Sequence, residues 1–166
     1  MEVIAHTMEY RGGPQLGALP VQPYTEDAYE EYRDLYNRCF RPMRQALGRY
    51  PLDCCPDRAA LRAEQIFLYR HKGALAGAVT IREREIDGLI VSPAWRRQGL
   101  GRRLLAFAVG HLQGQGGTIC LHVADWNPAC HSPPTVPWGL SSPIRRSCHD
   151  QRLKEKLYIL SEWAGS

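Results

Sequence analysis

The fold of this chain is decided by residues 86–101, which read Ile86-Asp87-Gly88-Leu89-Ile90-Val91-Ser92-Pro93-Ala94-Trp95-Arg96-Arg97-Gln98-Gly99-Leu100-Gly101. The apolar residues before Pro93 predict a β-strand, because proline cannot donate a ladder hydrogen bond and tends to end a strand. From Gly99 onward, apolar residues recur every three to four positions, which predicts a helix with one buried face. These residues are Leu100, Leu104, Leu105, Ala108 and Leu112.

The turn between this strand and this helix is rich in arginine and glycine. A helix N-terminus beside guanidinium groups is typical of a phosphate or pyrophosphate site. A dinucleotide-binding loop would need a small residue where Leu104 stands, and a mononucleotide P-loop would need Gly-Lys followed by Ser or Thr. Neither pattern is present.

The pattern that is present is Arg96-x-x-Gly99-x-Gly101, preceded by Val91-x-Pro93 and followed by Leu104-Leu105. This string resembles the signature of the GNAT family of acyl-CoA-dependent N-acetyltransferases, and the resemblance covers residues 18–127. The alternative is a strand-turn-helix in which glycine serves only for turning, since a lone Gly-x-Gly is a weak motif.

The resemblance implies an α/β (α+β) fold with a mixed central sheet in the order β-α-α-β-β-β-α-β. An antiparallel meander would lead into a parallel pair of splayed strands. Sequence patterns predict the same elements. They place an N-terminal extension over 1–17, an edge strand over 19–23, a helix capped by Thr25, a short helix over 57–64, strands over 65–70, 75–82, 85–91 and 118–123, and a helix from Gly99.

The resemblance also implies the binding residues for acetyl-CoA as acyl donor. The backbone of Leu89, Ile90 and Val91 would hold the pantetheine arm, and a backbone N–H beside Leu89 or Ile90 would serve the oxyanion. Asn127 matches the family's asparagine that contacts the arm. The pyrophosphate would lie on Arg96, Arg97, Gln98, Gly99, Leu100, Gly101 and Arg102.

The chemistry requires a proton acceptor, because an amine with a pKa of about 10.4 is mostly protonated at neutral pH. Glu85 and Asp87 lie on one face of their strand by its period of two, and Glu85 stands where some histone-type members carry a catalytic glutamate. Each is equally well explained as a polar residue of a half-exposed strand. His122 is a weaker candidate, since a histidine on a strand is more often structural.

The predicted function is therefore acetyl transfer from acetyl-CoA to a primary amine of a small molecule or peptide. The alternative is a GNAT-like module that binds acyl-CoA with weak or no catalysis. No metal site is predicted. The pairs Cys120-x-His122, Cys130-His131 and Cys148-His149 match no common zinc spacing.

Composition narrows the class of protein further. The chain has 166 residues, 44% hydrophobic and 23% charged, as in an ordinary globular protein. No apolar run reaches the roughly 18–20 residues of a membrane helix, and a net charge of +4 is too small to indicate nucleic-acid binding. The six cysteines form no disulfide-like framework, which favours a cytoplasmic location. Both a monomer and a homodimer are compatible with the sequence.

The C-terminal segment, 128–166, departs from the family pattern. Pro133, Pro134 and Pro137 forbid a helix where the family has one, so residues 128–147 are predicted to be irregular. A family insertion and a shifted reading frame both explain this change. In the family, a tyrosine in this region often protonates the departing thiolate, and Tyr158 is the one distant substitute.

Overall fold

The computed structural model describes residues 4–13, 19–46, 48, 51, 53–124 and 144–147. Within these ranges the chain forms seven strands and three α-helices. The strands are β1 (Ile4–Tyr10), β2 (Val21–Pro23), β3 (Gln65–His71), β4 (Ala74–Arg82), β5 (Glu85–Val91), β6 (Ile119–Ala124) and β7 (Ile144–Ser147). The helices are α1 (Tyr29–Ala46), α2 (Arg58–Arg62) and α3 (Leu100–Gln113).

All seven strands form one sheet in the order β2-β3-β4-β5-β6-β1-β7. Every neighbouring pair is antiparallel except β5 and β6, which run parallel. From β2 to β6 the elements follow the predicted order β-α-α-β-β-β-α-β. The predicted fold class, with its antiparallel meander and one parallel pair, is therefore confirmed.

Two strands were not predicted from the sequence. β1 lies in the stretch interpreted as an extension, yet it pairs with β6 from Ala5↔Ala124 to Tyr10↔Ile119 and with β7 on its other side. β7 lies in the segment expected to be irregular. Neither stretch has a clear apolar alternation, and their pairing comes from tertiary contact, which often overrides local propensity. The prediction of an irregular segment does not hold for Ile144–Ser147, and the remainder of 125–166 is outside the described residues.

The helices begin close to the predicted positions. Asp57 caps α2, because its carboxylate accepts a hydrogen bond from the Ala60 N–H at 2.8 Å. Thr25 occupies the cap position of the 3₁₀ turn Glu26–Ala28 that leads into α1, but its side chain makes no capping hydrogen bond there. The predicted capping role of that side chain is therefore wrong. None of the described helices is long and apolar enough to cross a membrane.

The helices cover both faces of the sheet. α3 packs on one face through fully buried side chains that include Leu104 and Leu112, and α1 packs on the other through Tyr32 and Phe40. The α3 layer lies very close to the sheet at Gly77. A Cβ built there would lie 2.9 Å from both the Ile90 carbonyl oxygen and the Leu104 Cδ1. Only glycine therefore fits between the two layers at this point.

A β-bulge interrupts the β4–β5 ladder. Thr80 pairs with Gly88, but the next residue of β4, Ile81, pairs with Ile86, so Asp87 is an additional residue on β5. Ile86 packs in the core on the α3 side, whereas Asp87 lines a cavity on the α1 side. The bulge thus directs a carboxyl group toward α1.

The parallel pair is short. β5 and β6 pair only at Glu85↔Cys120 and Ile86↔Leu121, although both strands continue for several residues. The Cys120 N–H also donates to the Arg84 carbonyl at 3.1 Å, which fixes the start of the pair. Beyond Ile86 no ladder pair joins β5 to the described part of β6. The edge of β5 that lies toward β6 after this point is called here the gap.

Candidate active site

The loop between β5 and α3, residues 92–99, has a defined backbone conformation. The Ser92 N–H donates to the Ala76 carbonyl at 2.8 Å, and the Trp95 N–H donates to the Ser92 carbonyl at 2.8 Å. Arg97 and Gly99 adopt left-handed conformations with φ of 59° and 78°. Gly99 is the N-cap of α3, and its positive φ turns the chain directly into the helix.

The first turn of α3 has the properties of an anion site. The N–H groups of Leu100, Gly101 and Arg102 have no acceptor within the helix, as in any helix N-terminus. This turn contains no acidic residue, and Arg97 and Arg102 are exposed beside it. Partial positive charge from the backbone and full charge from the arginines therefore meet at one place.

Arg96 contacts groups on two other elements. Its Nε donates to the Val91 carbonyl at 3.2 Å, and its Nη2 lies 3.8 Å from the Cys39 Sγ on α1. The Cys39 thiol donates to the same carbonyl at 3.5 Å. The half-buried guanidinium thus ties the loop to the end of β5 and to α1, and its contact with a phosphate stays a prediction.

The cavity beneath α1, called here the α1 cavity, has a volume of about 220 Å³. Its walls come from α1, the segment leading into α2, α2 itself and the paired strands β4 and β5. The lining residues are Tyr32, Tyr36, Phe40, Cys54, Pro56, Ala60, Leu61, Glu64, Ala78, Thr80, Arg82, Asp87, Gly88 and Ile90. The cavity therefore lies against the bulge, next to the strand that borders the gap.

Charged side chains meet at the Arg82 end of the α1 cavity. Arg82 forms an ion pair with Glu64. Burial lowers the pKa of Arg82, but the hydrogen bond to Glu64 and the charges of Asp87 and Glu85 outweigh it and raise this pKa above its ordinary value. Asp87 is only 8% exposed, and one cation thus lies among three carboxyl groups.

Aromatic side chains form the α1 wall of the cavity. Tyr32, Tyr36 and Phe40 follow one another at four-residue intervals, with ring centroids 6.0 Å and 4.4 Å apart. Burial raises the pKa of Tyr32 well above its usual range, and its hydroxyl forms a hydrogen bond with Thr80. The deepest hydroxyl is therefore neutral and already paired with the sheet.

The segment before α2 is fixed to α1 by Asn37, which is 8% exposed. Its Oδ1 accepts hydrogen bonds from the Cys54 N–H at 2.9 Å and the Cys55 N–H at 3.2 Å. Its Nδ2 donates to Asp53 Oδ1 at 2.8 Å, and Arg33 Nε donates to Asp53 Oδ2 at 3.0 Å. These bonds hold Cys54 at the cavity wall.

The two proposed bases occupy different environments. Asp87 lines the α1 cavity, whereas Glu85 is not among its lining residues in the described part of the chain. Leu89, Ile90 and Val91 border the gap between the parallel strands. His122 lies in β6 opposite Thr7. Asn127 and Tyr158 are outside the described residues.

Sequence reasoning missed Asn37, Glu64 and Arg82. Asn37 carried no distinct signal, because it lies with Arg38 between the apolar stripe positions Tyr36 and Cys39, where polar residues are ordinary. Glu64 and Arg82 carried none, since their pairing joins separate elements. Among the residues described, no three His, Cys, Asp or Glu side chains are grouped closely enough to hold a metal ion.

Comparison with known proteins identifies the family. The model of the acetyltransferase (GNAT) family matches residues 29–132, more than half of the chain. The chain belongs to the GNAT family. The matched region includes α1, the 92–99 loop and α3. A comparison with curated proteins gives no match.

Solved structures share the GNAT fold with this chain. A GNAT-family protein from Novosphingobium aromaticivorans has 19% identity and a TM-score of 0.64, and the match covers 87% of this chain and 62% of that one. A GNAT-family acetyltransferase from Colwellia psychrerythraea has 20% identity and a TM-score of 0.63, with 87% and 54% covered. This chain thus spans less than two thirds of either neighbour.

Proposed function

We propose that this GNAT-family chain transfers the acetyl group of acetyl-CoA to a primary amine of a small molecule or peptide. The observation that carries the proposal is the end of the β5–β6 ladder after Ile86, on the strand that leads into the α3 N-terminus. An extended arm needs a strand edge that can accept a further strand, and a pyrophosphate needs converging donors. The end of β5 and the first turn of α3 support both requirements.

On the donor side, the chain supplies two kinds of contact. The backbone of Leu89, Ile90 and Val91 borders the gap, so the N–H and C=O groups that lie toward β6 can bond the amides of the pantetheine arm as a further strand would. The Val91 carbonyl is the exception, because it already accepts hydrogen bonds from Arg96 and Cys39. The N–H groups of Gly99, Leu100 and Gly101, with Arg97, Gln98 and Arg102 nearby, bind the pyrophosphate. Arg96 positions this loop through Val91 and Cys39.

Acetyl transfer needs three events. The ammonium of the acceptor loses a proton, and the free amine attacks the thioester carbonyl carbon. An N–H beside Leu89 or Ile90 donates to the oxyanion of the tetrahedral intermediate. The C–S bond then breaks, CoA leaves as a thiolate that takes up a proton, and the amide remains after the attacking nitrogen loses its second proton.

Asp87 is the base that fits the cavity best. The bulge places its carboxyl group on the cavity wall, beside the strand that holds the thioester. Glu85 lies at the start of the parallel pair, opposite Arg82 and Cys120, and contributes charge near Arg82. We therefore assign proton acceptance to Asp87, directly or through a water molecule, and an electrostatic role to Glu85.

The sequence favours a second candidate function, an acyl-CoA-binding module without turnover. The prolines at 133, 134 and 137 are incompatible with the helix interior that the family resemblance implies for the acid, and Tyr158 is a distant substitute for that acid in the sequence. Among the described residues, Cys39, Cys54, Cys55 and Cys120 form no disulfide, which fits a cytoplasmic location for either function.

The test separates binding from turnover. Calorimetry with CoA measures binding, and release of the CoA thiol across a panel of primary amines measures transfer. We expect both signals from the parent protein and neither from Gly99→Glu, whose carboxylate would repel the pyrophosphate. Binding without thiol release would identify the module, and no binding would refute the donor site itself.

A further inference from the structure

The α1 cavity has different properties at its two ends. Ala78, Thr80 and Arg82 follow one another along one face of β4, so the cavity runs along this strand. At one end Ala78 pairs with Ile90, and both side chains are buried and apolar. At the other end Arg82 lies close to Glu64 and Asp87. A ligand that fills the cavity therefore needs one apolar end and one charged end.

The charged end favours a cation and opposes an anion. Among the lining side chains in the described part of the chain, Arg82 is the single cationic one, and Glu64 already forms an ion pair with it. Asp87 and Glu85 add two further carboxyl groups near the same place. An ammonium group is attracted there, whereas a ligand carboxylate meets like charges with Arg82 already engaged.

The apolar end offers a surface for one flat ring. Tyr36 and Phe40 lie on the α1 side with their rings 4.4 Å apart, and Leu61, Ala78 and Ile90 are buried around the same space. Aromatic walls of this kind favour stacked or edge-on rings. A second ammonium would lose its hydration here without a carboxylate partner among these residues.

The volume has room for a ring and a short chain. Benzene is held by an apolar cavity of about 150 Å³, and the α1 cavity measures about 220 Å³. The difference is enough for a short chain that ends in an amino group.

We infer that the acceptor is a compact aromatic monoamine without a carboxylate, its ring against Tyr36 and Phe40 and its amino group beside Asp87. The inference rests on the proposed acetyl transfer. It goes further by assigning specificity to the aromatic wall of α1 and to the Glu64–Arg82 ion pair. Glu64 acts indirectly here, because it keeps Arg82 from receiving a carboxylate.

The experiment compares three acceptors that differ in one property each. 2-Phenylethylamine fits the inference, L-phenylalanine adds a carboxylate to the same skeleton, and 1,4-diaminobutane replaces the ring with a second ammonium. For the full chain with acetyl-CoA we expect kcat/KM for 2-phenylethylamine to exceed both others by at least about 10-fold. Equal or higher values for either competitor would overturn the inference.

Two variants test the residues responsible. Tyr36→Leu should lower kcat/KM for 2-phenylethylamine by about 10-fold, mainly through KM, with Tyr29→Leu as the control on the same helix outside the cavity lining. Glu64→Gln should free Arg82 and narrow the discrimination against L-phenylalanine, while the exposed Glu83→Gln should not. Unchanged selectivity in both cavity variants would contradict the assignment.

A binding measurement separates this inference from the proposed function. Calorimetric titration of 2-phenylethylamine and L-phenylalanine into the CoA-bound protein requires no turnover. Preferential binding of 2-phenylethylamine without its acetylation would refute the proposed acetyl transfer but support the inferred preference for an aromatic monoamine. Acetylation of other amines, with no binding of 2-phenylethylamine, would support acetyl transfer and refute the inferred preference.

Discussion

Gly77→Ala should destabilise the protein and weaken CoA binding together. The added Cβ would lie 2.9 Å from the Ile90 carbonyl oxygen and 2.9 Å from Leu104 Cδ1, with Leu100 Cδ2 at 3.4 Å. The carbonyl belongs to the sheet and cannot rotate away, so β4 and α3 must separate by several tenths of an ångström. Overpacking of this kind typically costs about 1–3 kcal/mol.

The link to function comes from the position of these contacts. Leu100 is the first residue of α3, and Ile90 lies on the strand expected to hold the pantetheine arm. Displacement of α3 therefore moves the helix N-terminus relative to β5. We expect a lower urea midpoint and a larger Kd for CoA, measured by equilibrium unfolding and calorimetry.

Gly114→Ala is the matched control. Gly114 follows α3 with a φ of −61°, and a Cβ there would lie 3.9 Å from its nearest neighbour, the His111 carbonyl oxygen. This change should leave stability and CoA binding essentially unchanged. The reasoning would be refuted if Gly77→Ala had the urea midpoint of the parent, because the space between α3 and the sheet would then accommodate a methyl group.

Three further predictions concern the 92–99 loop, the proposed base Asp87, and Asp53, which is hydrogen-bonded to Arg33 and Asn37 of α1. Gly99→Glu should abolish CoA binding in calorimetry. The affinity of the parent protein for CoA should fall with added salt, since the pyrophosphate contact is partly electrostatic. Wild-type affinity for CoA in the variant would refute the proposed pyrophosphate site. Asp87→Asn should lower kcat by roughly 10²–10⁴-fold with a smaller change in KM, whereas Glu85→Gln should have a smaller effect; unchanged turnover at pH 7 would exclude Asp87 as base. Asp53→Asn should lower the urea midpoint at pH 7 but not at pH 2. Hydrogen bonds from Arg33 and Asn37 lower the pKa of Asp53 to about 2 in the folded protein. The Asp53 carboxylate therefore stabilises the folded state fully above the unfolded pKa of about 3.9, and this stabilisation is lost as pH falls toward 2. An equal difference in urea midpoint between parent and variant at both pH values would contradict this reasoning.

The elements around the 92–99 loop were predictable because their signals are local. Strand β5 has the predicted bounds, Glu85–Val91, and α3 begins one residue after Gly99. Apolar periodicity, Pro93 and a glycine at positive φ specify them within about twenty residues. The same locality explains why the family resemblance could be read from residues 91–105.

The missed features depend on contacts between distant segments. The bulge at Asp87 is a mismatch between two strands, and nothing in the sequence of β5 alone encodes it. The contact of Arg96 with Cys39 of α1 was likewise not predictable from the sequence. The ion pair of Glu64 with Arg82 likewise joins residues from different elements.

The position of β1 between β6 and β7 has a consequence for how the protein folds. Its partners on β6 are more than a hundred residues away in sequence, so closing this pair costs more chain entropy than any hairpin of the sheet. During synthesis, residues 4–10 emerge long before β6 exists, and β6 presents an open edge until β1 docks. An unpaired edge is a template for association with other chains. Removing residues 1–12 should therefore produce aggregation during expression, even though this part of the chain lies far in sequence from the 92–99 loop.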